Sequence, residues 1–410
     1  MTTTNDKTEC KTLVAIDISK SRNDILIQRP GRKRYRMQIT NDRADHDRFI
    51  QHVMEIGEPV HVCFEATGNY HRPIAWRLLS AGFSVHLISS VALARTREAL
   101  HNGWDKNDPK DAQVMLYMLA AGQVQRYYDP LEHETNDWQE LSKTHEAISK
   151  GKTEVLHRLM THYMPLYFPE IDRFRHNSRS EWFFRFLYEF PTPYSITQLS
   201  KSEFIRAAWD VISRKVNKTQ VLSDIYETAL TSIGLPVNLD SPAVSMYRLV
   251  IMQMRQLIQH RDEIERQANR QLSGHPDFER LQQIPGIGPI HALTVLAEAG
   301  DLRRFDHYRQ FLKFCGFDLA THQSGQFRGQ SKLSKYGNAR LRRSFWMAGQ
   351  VAIRQRENSF RDKYQRYIAR DRDNRDLRRK ALTAVAAKMA RVAYSIIKHE
   401  TDYRPFYGVR

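Results

Sequence analysis

The stretch Leu13–Ile18, LVAIDI, decides the fold, because five of its six residues are apolar and the sixth is Asp17. A short apolar run of this kind is typical of a buried β-strand. A carboxylate inside such a strand costs free energy unless something neutralises it. Asp17 is therefore a candidate for chemistry, while its neighbours are candidates for the core.

The residues after this strand continue the pattern of a layered domain. Turns at SKSRN and at Pro30-Gly31 lead into strands predicted over Asp24–Gln28 and Lys33–Ile39. The elements predicted next are a helix over Ala44–Ile56, a strand over Val60–Phe64, a helix over Pro73–Ala81 and a strand over Ser84–Ser89. A three-strand meander followed by alternating strand and helix predicts an α/β domain of about 130 residues with the order of the RNase H-like fold.

Further carboxylates fall at the ends of these elements. Glu65 directly follows the fourth strand, and Asp108 and Asp111 lie three residues apart at a helix start. Adjacent parallel strands and a covering helix are expected to bring them to Asp17 at one end of the sheet. Carboxylates that converge in this way repel one another unless cations lie among them. Oxygen ligands favour Mg²⁺ or Mn²⁺, which would assist phosphodiester cleavage.

Each of these carboxylates also has a structural interpretation. Asp108 is suited to capping a helix, and Glu65 is suited to pairing with a lysine. Asp105, three residues before Asp108, is a spare candidate that the pattern leaves open.

The net charge of +17 is concentrated near the end of the chain. Residues 301–410 hold 26 Lys and Arg against 10 Asp and Glu, whereas the preceding residues are almost balanced. Such a one-sided distribution is typical of a surface that contacts nucleic-acid phosphates, with a solubilising surface as the alternative.

A serine lies within this basic region, in THQSGQFRGQSKLSKYGNARLRR. Ser324-Gly325 predicts a turn that exposes a hydroxyl, and nearby cations would stabilise its alkoxide during attack on phosphorus. The alternative is an ordinary loop, since Ser-Gly is a common loop dipeptide. The predicted phosphate-binding residues are Arg328, Lys332, Lys335, Arg340, Arg342 and Arg343.

Helical spacing dominates the rest of the chain. Apolar positions spaced by three and four over Trp138–Leu159 and Tyr247–Ala268 predict two long helices, which pair either as a coiled coil or within a bundle of one chain. The segment IPGIGP, at 284–289, predicts a hairpin between two helices. It either presents backbone N–H groups to a phosphate or acts as a packing unit.

The composition limits the class of protein. The N-terminus lacks the apolar run of a signal peptide, and no stretch is apolar enough for a membrane span. Cys10, Cys63 and Cys315 are too scattered for a disulfide framework, and no phosphate-binding loop for ATP occurs. We expect a cytoplasmic protein that uses no ATP and contacts no membrane.

The motifs AIDISK, FEATGNY, KNDPKDA, IPGIGP and SKYGNARLRR, taken in this order, resemble the DEDD transposases of insertion-sequence family 110. That family includes pilin-gene invertases and recombinases guided by a bridge RNA. The resemblance implies a RuvC-like catalytic domain, a coiled-coil linker and a mostly α-helical transposase domain, which we place over 1–130, 131–275 and 276–357. The basic helical tail over 358–410 lies outside the matched motifs, and its role is unassigned.

The resemblance also implies residue roles and partners. Asp17, Glu65, Asp108 and Asp111 would bind the metal ions, and Ser324 would form a covalent phosphoserine intermediate. The partners would be double-stranded DNA at the element ends and target, a guide non-coding RNA, and further copies of the chain in a dimer or tetramer acting at the prokaryotic nucleoid.

One departure from the family concerns the serine. Family members often carry a second glycine after it, where this chain has Gln326, so Ser331 and Ser334 stay open as alternatives to Ser324. Two other functions also stay open. The first is a metal-dependent junction nuclease that uses the same carboxylates, and the second is an architectural protein that binds DNA or RNA without catalysis.

Overall fold

The computed structural model describes residues 11–101, 108–175, 181–212, 217–320, 323–324, 327–328 and 332–405. These residues form two compact units, Met1–Glu134 and Thr135–Arg410. No helix in the described part of the chain combines the length and apolar character that crossing a bilayer requires.

The first unit is a six-stranded mixed sheet covered by helices. Its strands are β1 (Thr12–Asp17), β2 (Arg22–Gln28), β3 (Tyr35–Thr40), β4 (Val60–Glu65), β5 (Ser84–Ile88) and β6 (Gln125–Arg126). Its helices are α1 (Arg43–Met54), α2 (His71–Ser80), α3 (Ser90–His101) and α4 (Asp108–Ala120). The structure confirms the predicted meander and the alternation after it, and adds the short β6, which the sequence analysis missed.

The strand order is β3-β2-β1-β4-β5-β6. Strands β1, β4 and β5 run parallel, while β2, β3 and β6 each run antiparallel to a neighbour. A central parallel trio next to an antiparallel meander is the arrangement of the RNase H-like fold. The fold class predicted for this part of the chain is therefore confirmed.

Both faces of the sheet are buried at its central strands. Val14 and Ile16 pack into one core with α1 and α2, whereas Ala15 and Cys63 pack into a second core beneath α4. Successive residues of a strand point to opposite faces, so β1 and β4 need apolar residues at every interior position. The continuous apolar run that predicted β1 has this origin.

The second unit is mainly helical in its described residues. Its helices are α5 (Asn136–Arg158), α6 (Met164–Tyr167), α7 (Glu181–Glu189), α8 (Pro193–Thr197), α9 (Lys201–Ala208), α10 (Lys218–Leu230), α11 (Pro242–Leu272), α12 (Pro276–Gln282), α13 (Pro289–Ala299), α14 (Tyr308–Phe314), α15 (Ala339–Ala352), α16 (Ser359–Ile368) and α17 (Arg375–Lys398). Its short strands are β7 (Leu319–Ala320), β8 (Gln323–Ser324), β9 (Phe327–Arg328) and β10 (Lys332–Leu333).

The two long predicted helices, α5 and α11, pack against each other within one chain. His145 and Glu265 meet across this contact at 3.4 Å, and Lys152 and Arg261 are buried along it. This is the bundle alternative of the sequence analysis. Pairing between copies stays a prediction, as do the boundaries 131–275, 276–357 and 358–410.

Helix α17 belongs to the same core as the helices before it. Val385, Met389 and Ala393 are fully buried and share one apolar cluster with α13 and α15. The predicted basic tail over 358–410 therefore contains a helix that packs into the core of the second unit.

The IPGIGP segment joins α12 to α13 and packs tightly on α15. Ile284 and Ile287 are buried, and Gly286 has φ +91°. A Cβ at Gly286 would lie 2.2 Å from the carbonyl oxygen of Ala348, which no rotamer change relieves. Of the two interpretations of this motif, the packing unit is the one with a visible physical basis.

We therefore expect Gly286→Ala to lower the free energy of unfolding by about 3 kcal/mol, since it combines a left-handed backbone with a backbone collision. Gly288→Ala is the matched control, because its φ is −95° and no atom lies within 4 Å of the added Cβ. Denaturant unfolding of both variants measures the difference. Equal stability of the two variants would contradict the packing role.

Candidate active site

Asp17 and Glu65 end two neighbouring parallel strands. The β1–β4 register pairs Ile16 with Phe64, so the two carboxylates occupy the next positions along their strands. Side-chain alternation places both on the face that carries Ala15 and Cys63, which is the face covered by α4. Both side chains are partly buried. The predicted convergence of Asp17 and Glu65 therefore has a basis in the register of the sheet.

A third carboxylate at this edge was missed by the sequence analysis. Asp24 lies directly opposite Asp17 in the antiparallel β1–β2 ladder, which puts the two side chains on one face. Gln38 donates a hydrogen bond of 2.8 Å to an Asp24 carboxylate oxygen. The sequence feature that could have revealed this neighbour is the length of the turn between β1 and β2, because it sets the register that brings Asp24 next to Asp17.

Helix α4 supplies Asp111 from above the sheet. The Cys63 thiol lies 3.6 Å from the carbonyl oxygen of Met115, which fixes α4 over β4 one helical turn after Asp111. Asp108 begins the same helix, three residues before Asp111. The Asp108 side chain and Asp105 lie outside the described residues.

Asp111 is buried and is neutralised by Arg97 of α3. The Arg97 Nη1 atom lies 2.5 Å from Asp111 Oδ1, and the two side chains are 12% and 6% exposed. In the described part of the chain, no three His, Cys, Asp or Glu side chains lie close enough to hold a metal ion together. The structure thus brings Asp17 and Glu65 to neighbouring positions. The negative charge of Asp111 is compensated by the guanidinium of Arg97.

The candidate nucleophile lies in a small hairpin of the second unit. Strands β8 and β9 pair Ser324 with Phe327 and Gln323 with Arg328, so two residues connect the strands. Ser324 thus lies in β8, whereas the turn was predicted over Ser324-Gly325, and Gly325 and Gln326 lie outside the described residues. The side chains of Ser324 and Arg328, and residue Ser331, lie outside the described residues.

The other predicted phosphate-binding residues differ in their surroundings. Lys332 and Lys335 are exposed, and the side chain of Arg343 is 60% exposed. Arg342 donates to the carbonyl oxygen of Lys335 at 3.2 Å. Lys332, Lys335 and Arg343 are thus accessible enough for a phosphate contact, and Arg342 lies beside Lys335.

Arg340 is engaged within the protein. Its guanidinium contacts Glu146 at 2.6 Å and Glu298 at 2.5 Å, and it also donates to Ser142. Burial raises the pKa of Glu146, but the hydrogen bond from Lys150 and the charge of Arg340 outweigh it, so that the pKa lies below its usual value. Arg340 thereby ties α15 to α5 and α13.

The strand order, the strand-end carboxylates and the helix above them define the class of the first unit. It is an RNase H-like domain of the DEDD transposase type, and the DEDD transposase family of IS110 matches residues 14–169. The transposase IS116/IS110/IS902 family matches residues 278–365. Between them the two matches cover more than half of the 410 residues, and the chain belongs to the IS110 family of transposases.

Several curated proteins are similar to the chain. A probable family 20 transposase of Pseudomonas aeruginosa is 30% identical over 42% of this chain and 50% of that protein. The transposase for insertion sequence element IS1111A of Coxiella burnetii is 31% identical over 31% of this chain and 35% of that protein. The chain thus spans half or less of the length of these two relatives.

Two other similarities have lower identity, and one of them extends over most of the chain. An uncharacterized 44.8 kDa protein of insertion element IS116 from Streptomyces clavuligerus is 22% identical over 96% of each chain. The structure of Thermus thermophilus RuvC matches 28% of this chain and 99% of that chain at 10% identity. Its TM-score of 0.20 is too low to decide the fold, which rests on the strand order instead.

We expect Arg97→Gln to lower the free energy of unfolding by about 3–5 kcal/mol, because it leaves the buried Asp111 carboxylate without a compensating charge. Arg95→Gln, on the exposed side of the same helix, removes an equal charge and should change stability by less than about 0.5 kcal/mol. Chemical denaturation of the full chain measures both. Similar small losses in the two variants would show that the Arg97–Asp111 pair does not stabilise the domain.

Proposed function

We propose that the protein is a transposase that excises and inserts a DNA element by divalent-metal-dependent strand exchange. The observation that carries this proposal is the pair Asp17 and Glu65, at the ends of adjacent parallel strands and on one face of an RNase H-like sheet. The family matches support the same conclusion, because they include both the carboxylate-bearing unit and the serine-bearing region.

The donor set is suited to Mg²⁺ or Mn²⁺. Asp17, Glu65 and Asp111 offer oxygen atoms alone, with no thiol or imidazole, and hard divalent cations prefer such ligands. Asp108 completes the proposed set from the first turn of α4. When bound, the metal would activate the attacking oxygen and stabilise the leaving one. Arg97 would hold Asp111 in place and limit the repulsion between Asp111 and the strand-end carboxylates.

Ser324 is the proposed nucleophile. Its hydroxyl oxygen would attack phosphorus, release one DNA strand end as a hydroxyl and pass its proton to a base. The phosphoserine ester would keep the phosphodiester energy until a second strand end attacks it and restores the serine. This route needs no ATP, and Lys332 and Lys335 are exposed nearby in sequence to receive phosphates.

The partners follow from the same proposal. The basic charge of residues 301–410 suits double-stranded DNA at the element ends and target. The family resemblance adds a guide non-coding RNA and a composite site in which the carboxylates of one copy act beside the serine of another. That arrangement requires a dimer or tetramer, acting in the prokaryotic cytoplasm.

We expect Asp17→Asn and Glu65→Gln each to reduce Mg²⁺-dependent strand cleavage by at least about 100-fold while nucleic-acid binding persists, because charge is lost without a change in shape. Glu58→Gln is the control, since Glu58 pairs with Thr12 and Arg29 at the opposite end of the same strands. Cleavage of a labelled DNA substrate measures all three. Cleavage that survives in either site variant would remove the carboxylate assignment.

The serine separates a transposase from a nuclease. We expect Ser324→Ala to eliminate recombination and leave folding and binding nearly intact. Wild-type protein that is denatured during reaction should yield DNA linked to the peptide that contains Ser324, identified by mass spectrometry. Ser331→Ala and Ser334→Ala are matched controls that should retain the adduct. If no adduct forms while Ser324→Ala still cleaves with Mg²⁺, the protein is a junction nuclease.

A further inference from the structure

A cavity of about 750 Å³ opens in the second unit between α14, α16 and α17. Its walls include Tyr308, Arg366, Lys388, Arg391 and Arg404. It lies largely beyond the segment 278–365 that matches the transposase family, and neither the carboxylates nor the candidate serine contributes to it.

Four cations crowd this region. Lys363 and Arg366 lie three residues apart on α16, and Lys388 and Arg391 lie three apart on α17, which packs against α16. Within the described residues, no carboxylate forms an ion pair with any of the four. Asp306 and Asp362 also line the cavity, but two acids do not balance this concentration of positive charge.

Neutral groups hold these cations in place. Lys388 donates to the carbonyl oxygen of Ser359 at 2.9 Å and lies 5.2 Å from the centre of the Phe360 ring. Burial lowers the pKa of Lys388, and the charges of Lys363, Arg366 and Arg391 lower it further. The four cations therefore repel one another in the folded protein, and this repulsion disfavours the charged form of Lys388. Such repulsion lowers stability unless an anion relieves it.

An aromatic wall accompanies the charge. The guanidinium of Arg391 lies 5.8 Å from the centre of the Tyr308 ring, and Tyr403 also lines the cavity. Tyr308 is partly exposed, and the centres of the Tyr308 and His307 rings lie 4.3 Å apart. Sites for single-stranded nucleic acid combine cations with aromatic rings on which bases stack.

We propose that this cavity binds one or two nucleotides of a single-stranded nucleic-acid segment, with backbone phosphate on Arg366, Lys388 and Arg391 and a base against Tyr308. Its volume falls in the range of small-ligand cavities and suits an unpaired nucleotide, whereas a rigid duplex presents its phosphates along an outer surface. The proposal deepens the proposed function by assigning a second nucleic-acid contact to the protein. It stands on the charge of the cavity, independently of the carboxylates.

The test compares two double variants of the full chain. Arg366→Gln with Arg391→Gln removes two cations of the cavity, and Arg375→Gln with Arg379→Gln removes two exposed cations of α17 outside it. Fluorescence anisotropy measures their affinity for a single-stranded DNA, a single-stranded RNA of the same sequence, and the matching duplex, over a range of salt concentrations.

We expect the cavity variant to lose at least about tenfold in affinity for a single strand, and its salt slope to fall by about 1.4, since each phosphate contact contributes about 0.7. The control should lose less than about threefold. Which of the DNA and RNA strands loses more affinity identifies the source of the bound segment. Equal losses in the two variants, or a loss confined to the duplex, would overturn the proposal.

A second measurement guards against a folding defect. Because the cavity variant removes repulsion, its melting temperature without ligand should equal or exceed that of the wild type. Millimolar inorganic phosphate should raise the wild-type melting temperature more than chloride of equal ionic strength and should not raise that of the cavity variant. Equal phosphate effects on both proteins would overturn the assignment.

The Asp17→Asn protein separates this proposal from the proposed function. It should bind single strands as the wild type does, although it lacks cleavage. If that protein still cleaves, the carboxylate assignment fails, while the cavity result is judged on its own. If the Asp17→Asn protein loses single-strand binding to the same extent as the cavity variant, the cavity is not the binding site.

Discussion

The parallel pairing of β1 with β4 is the constraint on which the first unit depends. Their register sets Asp17 beside Glu65, and the apolar residues before them are buried on both faces of the sheet. A one-residue slip of either strand would move its carboxylate to the opposite face and bury it among the residues beneath α1 and α2. The apolar packing that stabilises the sheet thus also fixes the positions of Asp17 and Glu65 at its strand ends. Helix α4 covers the face of the sheet on which both carboxylates lie.

The sequence predicted this part of the molecule well for a physical reason. Short apolar runs, turn residues and the order of elements are local signals, and Asp17 stood out because a charge interrupted such a run. Arg97 did not stand out, because its pairing with Asp111 depends on how α3 and α4 pack, and no pattern in either helix specifies a partner on the other. Asp24 was missed for a similar reason, since its position opposite Asp17 depends on the hairpin register.

The basic region shows where charge counting stops being informative. Arg303 is held by Asp277 and Asp301, and hydrogen bonding to Asp277 raises its pKa. Arg340 is likewise committed to Glu146 and Glu298, although the sequence analysis grouped it with residues that contact phosphate. A count of Lys and Arg treats these residues as equal to exposed ones. The acids that engage them lie up to about 200 positions away in sequence, so pairing becomes visible only after the helices are packed.

The cations that lie outside these internal ion pairs form a smaller set. Around the cavity between α14, α16 and α17, an ammonium group is held by a backbone carbonyl and an aromatic ring instead of an acid. Neutral partners orient a cation without cancelling its field, so its charge stays available to an external anion. A protein that needed only solubility would spread these charges over exposed surface, where water screens them. Their concentration in a concave site lined by tyrosine points to a ligand that brings both phosphate and an aromatic base.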